Sequence, residues 1–399
     1  MSTLKVNTIL SETPNVTITD GLNVTGVSTV TTLNTTNIIN ATQLSHRNLI
    51  INGAMQVAQR GTSSTSSGIN SVDRFGVWYD NVDEAPTQEQ YVMNSGDTGP
   101  WESGFRNALK VTNGNQTSGA GADDYIWIQT NLEAQDIANS GWNYTSSSSY
   151  VTLSFWIKTS VSQSYKCYLR TRDGTERQYP FETGTVSANT WTKIVKTIPG
   201  NSGLQFDNDA NQGLQINIGC FFGTNLTASG VTENAWGSWS SSARVPDMTS
   251  TWYTTNDAVF RITGVQLEVG PVATPFEHRS FSDELSRCQR YYEQFDSNGL
   301  AEAPFGVGYF EANNQLRAVV PLHEKRADVS FSSTAASTFA SMNTLNMPAG
   351  SSIALYKTGK KAAIIVLTLS GDVTSGDGRA GILCAQSSTE ATLKFDAEL

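Results

Sequence analysis

Val151-Thr152-Leu153-Ser154-Phe155-Trp156-Ile157 decides the fold class, because apolar and polar residues alternate along it almost without a break. A period of two puts Val151, Leu153, Phe155 and Ile157 on one face of an extended strand, the pattern of a half-buried β-strand. Trp156 falls on the opposite, polar face, where it is either an exposed ring or an anchor at an interface. The same alternation recurs on both sides, at 125–128, 165–169, 191–198, 214–222 and 259–269. Turn-rich stretches at 112–122 and 199–213 separate these segments. Many strands with no helical period between them predict a jelly-roll β-sandwich over residues 47–279. All nine tryptophans lie inside that range, which marks it as one folding unit.

Outside the sandwich the patterning changes. Residues 1–46 contain no Trp, Tyr or Phe and only thin β-prone pieces such as Leu4-Lys5-Val6. A segment so poor in large apolar groups cannot offset its own ordering entropy. The reading is a trimeric β stalk in which each apolar stripe faces two sister copies, with disorder as the alternative. Residues 280–296 read as a linker helix, centred on SDELSRCQRYYEQF at 282–295. Ser282 is placed as N-cap and Asp283 and Glu284 in the first turn, where the helix dipole favours acids. Leu285, Cys288, Tyr292 and Phe295 then form one apolar stripe, suited to a trimer interface or equally to packing on the sandwich. Residues 297–399 return to β patterning at 307–311, 315–320, 327–331, 352–356, 362–369, 381–385 and 391–395, predicting a smaller C-terminal β-sandwich.

Composition narrows the function. The net charge of −10, with 26 basic residues against 36 acidic ones and no basic cluster, argues against nucleic acid and anionic membranes as partners. Only 16% of residues are charged and 10% are aromatic, so the chain is not a disordered polyelectrolyte. Cys167, Cys220, Cys288 and Cys384 are scattered, fit neither a disulfide framework nor a zinc site, and read as reduced and mostly buried. The opening MSTLKVNTIL lacks the apolar core of a signal peptide, and the longest apolar run, 362–367, is too short to span a bilayer. The expectation is synthesis in a cytoplasm, without membrane insertion.

Catalytic chemistry finds little support. His46, His278 and His323 lie in three separate segments without a partner at metal-ligand spacing. His278 reads as a satisfied structural group. Asp83–Glu84, Asp123–Asp124 and Asp207–Asp209 are the candidate acid pairs for sugar hydrolysis, but each sits in a polar loop where acids are normally solvated. No catalytic residue, metal site or cofactor is assigned. A structural Ca²⁺ at Asp207-Asn208-Asp209 or at Asp372 and Asp377 is the one ion considered, against plain solvated acids. The most suggestive feature is the long aromatic insertion 225–257, which carries Trp236, Trp239, Arg244, Trp252 and Tyr253. Indole and phenol faces suit the C–H face of a sugar ring, so these five are the candidate glycan-binding residues. The alternative is that the rings plug the open end of the sandwich or a trimer interface.

Several short stretches together resemble a recurrent signature of phage tail-fibre and other virion proteins that carry a jelly roll similar to carbohydrate-binding modules. They are Arg47-Asn48-Leu49-Ile50-Ile51-Asn52-Gly53-Ala54-Met55, Val72-Asp73-Arg74-Phe75, Leu153-Ser154-Phe155-Trp156-Ile157-Lys158, Ile262-Thr263-Gly264-Val265-Gln266-Leu267-Glu268-Val269-Gly270, Ala273-Thr274-Pro275-Phe276-Glu277 and Arg287-Cys288-Gln289-Arg290-Tyr291-Tyr292. The opening MSTLKVNTI is similar to the start of structural proteins of marine phages, including those of cyanobacteria. The sequence departs from many relatives at 322–328, where an "MR-x-x-P" box is replaced by a stretch without Pro. The resemblance implies a non-enzymatic virion protein, a homotrimeric tail fibre that attaches to host-surface glycan. Its N-terminus, through Leu4, Val6 and Ile9, would join the tail or other virion proteins. A head fibre or decoration protein is the alternative, and a polysaccharide depolymerase a third reading. Weak sugar contacts would gain strength from several copies per particle.

Overall fold

In the computed structural model the described residues are 46–342, 348–373, 378–386 and 390–399. The expected stalk, the attachment residues Leu4, Val6 and Ile9, and Asp377 lie outside them. Val151–Ile157 falls in strand β6 (Tyr150–Thr159), with Val151, Leu153, Phe155 and Ile157 all buried inward. Around it is built a sheet in the order β1 (Ser63–Ser64), β3 (Thr87–Val92), β4 (Asn107–Thr112), β12 (Val259–Val269), β6 and β9 (Thr192–Pro199). The second sheet runs β11 (Gly237–Ser238), β8 (Arg177–Val186), β7 (Gln163–Thr171), β10 (Gln212–Phe222), β5 (Tyr125–Glu133) and β2 (Gly76–Asp80). Every named pair in both sheets is antiparallel.

The inner faces of these two sheets share one core, in which Phe155, Ile157 and Ile262 meet Ile126, Ile216 and Phe181. Each such side chain contributes about 1.5–3 kcal/mol by leaving water. A β-bulge interrupts β12 between Thr263 and Gln266. Gly264 sits there at φ +65°, a backbone that side-chain-bearing residues rarely adopt, and the extra residue returns Val265 to the core. Among the described residues the short helix α1 (Ala134–Ala138) follows β5, and no helix is long and apolar enough to cross a membrane. All four cysteines are free and buried.

The linker helix is shorter than its apolar spacing suggests. Helix α2 spans Phe281–Gln289, and Ser280, not Ser282, caps it by accepting the Asp283 N–H at 3.2 Å. The chain then turns into β13 (Tyr292–Asp296), which pairs with β21 (Thr392–Asp396) in a three-stranded sheet completed by β16 (Ser330–Ser333). The stripe Leu285, Cys288, Tyr292, Phe295 therefore does not exist as a helical face. Cys288 and Tyr292 are buried by the chain's own body, Leu285 is half-buried, and the Phe295 ring packs 6.0 Å from Phe395.

Residues beyond the helix complete a second β-layered body. A six-stranded sheet runs β17 (Phe339–Met342), β20 (Ala380–Ala385), β14 (Pro304–Ala312), β15 (Gln315–Pro321), β19 (Ala362–Leu369) and β18 (Gly350–Gly359). Its inward residues, Phe310, Leu316, Ile365 and Leu367, join Leu393 and Phe395 of β21 in a separate core. The strand positions expected from the sequence here agree to within a few residues.

Among the described residues the two cores belong to one compact unit, and the sequence stretches quoted for the resemblance knit it together. The Asn48 side chain accepts from Ile50 N and Leu267 N and donates to Val265 O. Asn52 spans Val57 and Asp73, while its own N–H reaches Glu284 of α2. Glu277 accepts from the backbone of Arg47 and Asn48. Arg74, 2% exposed, lies 3.4 Å over the Tyr291 ring, donates to Asn131 O at 2.6 Å and pairs with Glu398. Arg60 stacks on Tyr292 at 3.6 Å and contacts Asp396 at 2.9 Å and Glu398 at 3.4 Å. Fully buried Glu133 accepts from Arg290 at 2.6 and 2.8 Å and from the Tyr291 hydroxyl at 2.7 Å. The signature is a structural clasp.

Candidate functional site

Residues 224–249 cross the outer face of the second sheet as a strap. Backbone bonds tie it to itself, Arg244 N to Leu226 O and Ala228 N to Val245 O, and to β8, Asn234 N to Pro180 O at 2.7 Å. Gln178 clamps it twice, donating to Ala243 O at 2.7 Å and accepting from Ser240 N at 3.1 Å. Between strap and β8 lies a groove of about 390 Å³ lined by Trp236, Gln178, Pro180, Thr232, Ser238 and Ser240, among others. The Trp236 indole donates to Pro199 O at 2.7 Å and sits 5.3 Å from the Tyr179 ring, so its plane is fixed before any ligand arrives. Among the described residues no carboxylate lines this groove.

The other four proposed sugar contacts divide in two. Trp239 and Arg244 stay on the strap, but their surfaces are engaged. The Arg170 guanidinium, held by Glu176 at 2.5 Å, stacks 3.8 Å from the Trp239 ring. Arg244 lies 5.0 Å over Trp127 and 5.5 Å from Trp239. Beneath this cluster Asn217 is fully buried, with neither amide atom hydrogen-bonded. Trp252 and Tyr253, by contrast, belong to the core, 0% and 1% exposed. Tyr253 stacks 4.4 Å on Phe221 and donates to Asp124 at 2.9 Å, and Gln163 accepts from Trp252 N at 3.0 Å. They close one end of the sandwich and cannot meet a sugar there. In the sequence, exposed and core aromatics of one loop look alike.

The candidate acids are absorbed into loops. Asp83 accepts from Ser118, Glu84 from Asn115 N, Asp123 from Asn225, and Asp124 from Gly121 N and the Tyr253 hydroxyl. Asp207 accepts from Gln205 and Asp209 from Asn211. Among the described residues no group of three or more His, Cys, Asp or Glu gathers as a metal site. His278 bonds Ser103 O at 2.8 Å. His323 contacts Glu293 at 2.6 Å, and the same carboxylate holds the fully buried Lys325 at 2.8 Å.

No protein-family model matches the sequence, and no curated protein matches it. Solved structures overlap with part of the chain. One is the enzymatically active domain of tailspike protein 4 from bacteriophage CBA120, 11% identical over 56% of this chain, with a TM-score of 0.29. The overlap spans only 21% of that tailspike. The N-terminal cellulose-binding domain of Cellulomonas fimi β-1,4-glucanase C is 8% identical, over 55% of this chain and 99% of that one, TM-score 0.26. A protein from Bacteroides thetaiotaomicron described as a putative sugar binding protein is 12% identical, over 56% of this chain and 99% of that one, TM-score 0.29.

Proposed function

We propose that this chain is a non-enzymatic, glycan-binding component of a bacteriophage particle, a tail fibre that acts as a homotrimer. One observation carries the binding assignment: the groove beside the strap presents a pre-fixed indole, Trp236, among amide and hydroxyl groups. That combination takes the apolar face of a sugar ring while orienting its hydroxyls. The virion assignment rests on the sequence resemblance.

A glycan array probed with purified protein and with Trp236→Ala tests the reading. Wild type is expected to bind a restricted set of glycans and the variant to lose those signals at least about tenfold. Unchanged binding by a folded Trp236→Ala would overturn the assignment. Release of oligosaccharides from a bound polysaccharide would establish the depolymerase instead. Sedimentation is expected to give three times the chain mass; a stable monomer at micromolar concentration would remove the trimer.

A further inference from the structure

The opposite face of the sandwich carries a second cleft, about 240 Å³, lined by Trp156, Ser154 and Lys193 from the first sheet and by Phe105, Phe276 and His278 from the loops above it. Strand register builds its floor: Lys193 on β9 lies beside Trp156 on β6, and Ser154 is two residues along the same face. The Gly264 bulge lets Phe105 sit directly on the sheet, since a Cβ there would come within 2.7 Å of that ring. Phe105, Phe276 and His278 then form a triangle of rings with centroids 4.8, 4.9 and 5.1 Å apart. At Gly99 the loop backbone closes over the Trp156 ring, where a Cβ would approach to 2.9 Å. The cleft is thus an aromatic slot of fixed width.

Three of its polar groups, on Ser154, Trp156 and Lys193, are donors without partners among the described residues. Ser154 is 3% exposed, lines the cleft, and its hydroxyl bonds to no protein group among the described residues. The Trp156 indole N–H and the Lys193 ammonium are likewise unpaired among the described residues, and no carboxylate lines the slot. The acids on the covering loop are committed: Glu102 accepts from Gly99 N, and Asp97 holds Trp191 at 3.0 Å and Lys158 at 3.4 Å. We propose that this cleft binds a single carboxylated sugar ring, a uronate. Its C–H face lies on the aromatic wall, its carboxylate meets Lys193, and a hydroxyl accepts from or donates to Ser154. The volume suits one ring and no more, so affinity is weak, roughly millimolar for so few atoms. The cleft does not depend on the Trp236 groove.

Saturation-transfer NMR with galacturonate and galactose, on wild type, Lys193→Gln, Trp156→Ala and Trp236→Ala, tests the proposal. Galacturonate is expected to receive transfer at its ring protons and galactose far less. Lys193→Gln, a surface change that leaves the fold intact, is expected to weaken galacturonate about tenfold and abolish its advantage over galactose. Trp156→Ala is expected to lose both, and Trp236→Ala neither. No transfer to galacturonate, an unchanged preference in Lys193→Gln, or loss in Trp236→Ala alone would each overturn the cleft assignment. The last result would leave the groove reading standing.

Discussion

Replacing Glu398 by Gln removes one negative charge from the clasp between the two cores. In the wild type its carboxylate serves Arg74 directly and Arg60 at 3.4 Å. Arg60 keeps Asp396 and Asp73, but Arg74 is left with the Asn131 carbonyl and the Tyr291 ring. Breaking a buried pair by removing one partner costs about 3–5 kcal/mol, because the other charge stays desolvated. The Glu398 side chain is 12% exposed, so water partly reaches the site and the low end, about 3 kcal/mol, is the expected loss. For a unit of this size each kcal/mol lowers Tm by about 2 °C, giving a drop of about 6 °C in differential scanning calorimetry. Glu302→Gln, at an exposed turn, is the control and should stay within about 0.5 kcal/mol. Arg74→Met combined with Glu398→Gln should cost less than the sum of the two changes by about 1 kcal/mol or more. A Tm within a degree of wild type, or strict additivity, would refute a buried charge pair at this junction.

Burial raises the Asp73 carboxyl to about 6, against a free-chain value near 3.8, so the folded state holds its proton more tightly than the unfolded state. Its contribution is therefore fullest below pH 4, and stability falls by about 3 kcal/mol as pH rises to about 6; Asp73→Asn should flatten that part of a urea-midpoint profile against pH. Trp252→Ala should cost about 3–5 kcal/mol in urea unfolding, as a core deletion, with sugar affinity of the remaining folded protein unchanged. Gly53→Ala places a Cβ 2.1 Å from the Val265 carbonyl, so it should cost about 3 kcal/mol or more and shift the chain to the insoluble fraction on expression.

What the sequence discloses is what alternation can encode. β6, β10 and β12 are long, central and apolar on one face, and their positions agree with the pattern almost residue for residue. β8 escapes notice because Pro180 and several polar residues break its run; only the two-residue β11 flanks it, and that near-edge place tolerates proline. The helix is read too long because Tyr292 and Phe295 satisfy a helical spacing by coincidence. Pairing with β21, about a hundred residues downstream, overrides it, and no local pattern reveals that partner. Trp236 lines a groove while Trp252 lies in the core for one reason: which way an indole points is set by neighbouring sheets. The role of Asn48, Asn52, Arg74 and Tyr291 as a clasp also needs three-dimensional proximity.

The clasp has a consequence for the order in which the chain is made. Arg74 precedes the acid that neutralises it by 324 residues. At a translation rate of about 5–20 residues per second, roughly 16–65 s separate their emergence from the ribosome. The sandwich strands, complete at Val269, are available to pair well before that interval ends, while Arg74 at their base still lacks its counterion and Arg60 has Asp73 but neither Asp396 nor Glu398. Ribosome-bound nascent chains stopped before β21 should therefore be protease-sensitive around residues 60–74, and become resistant only once Glu398 has cleared the exit tunnel.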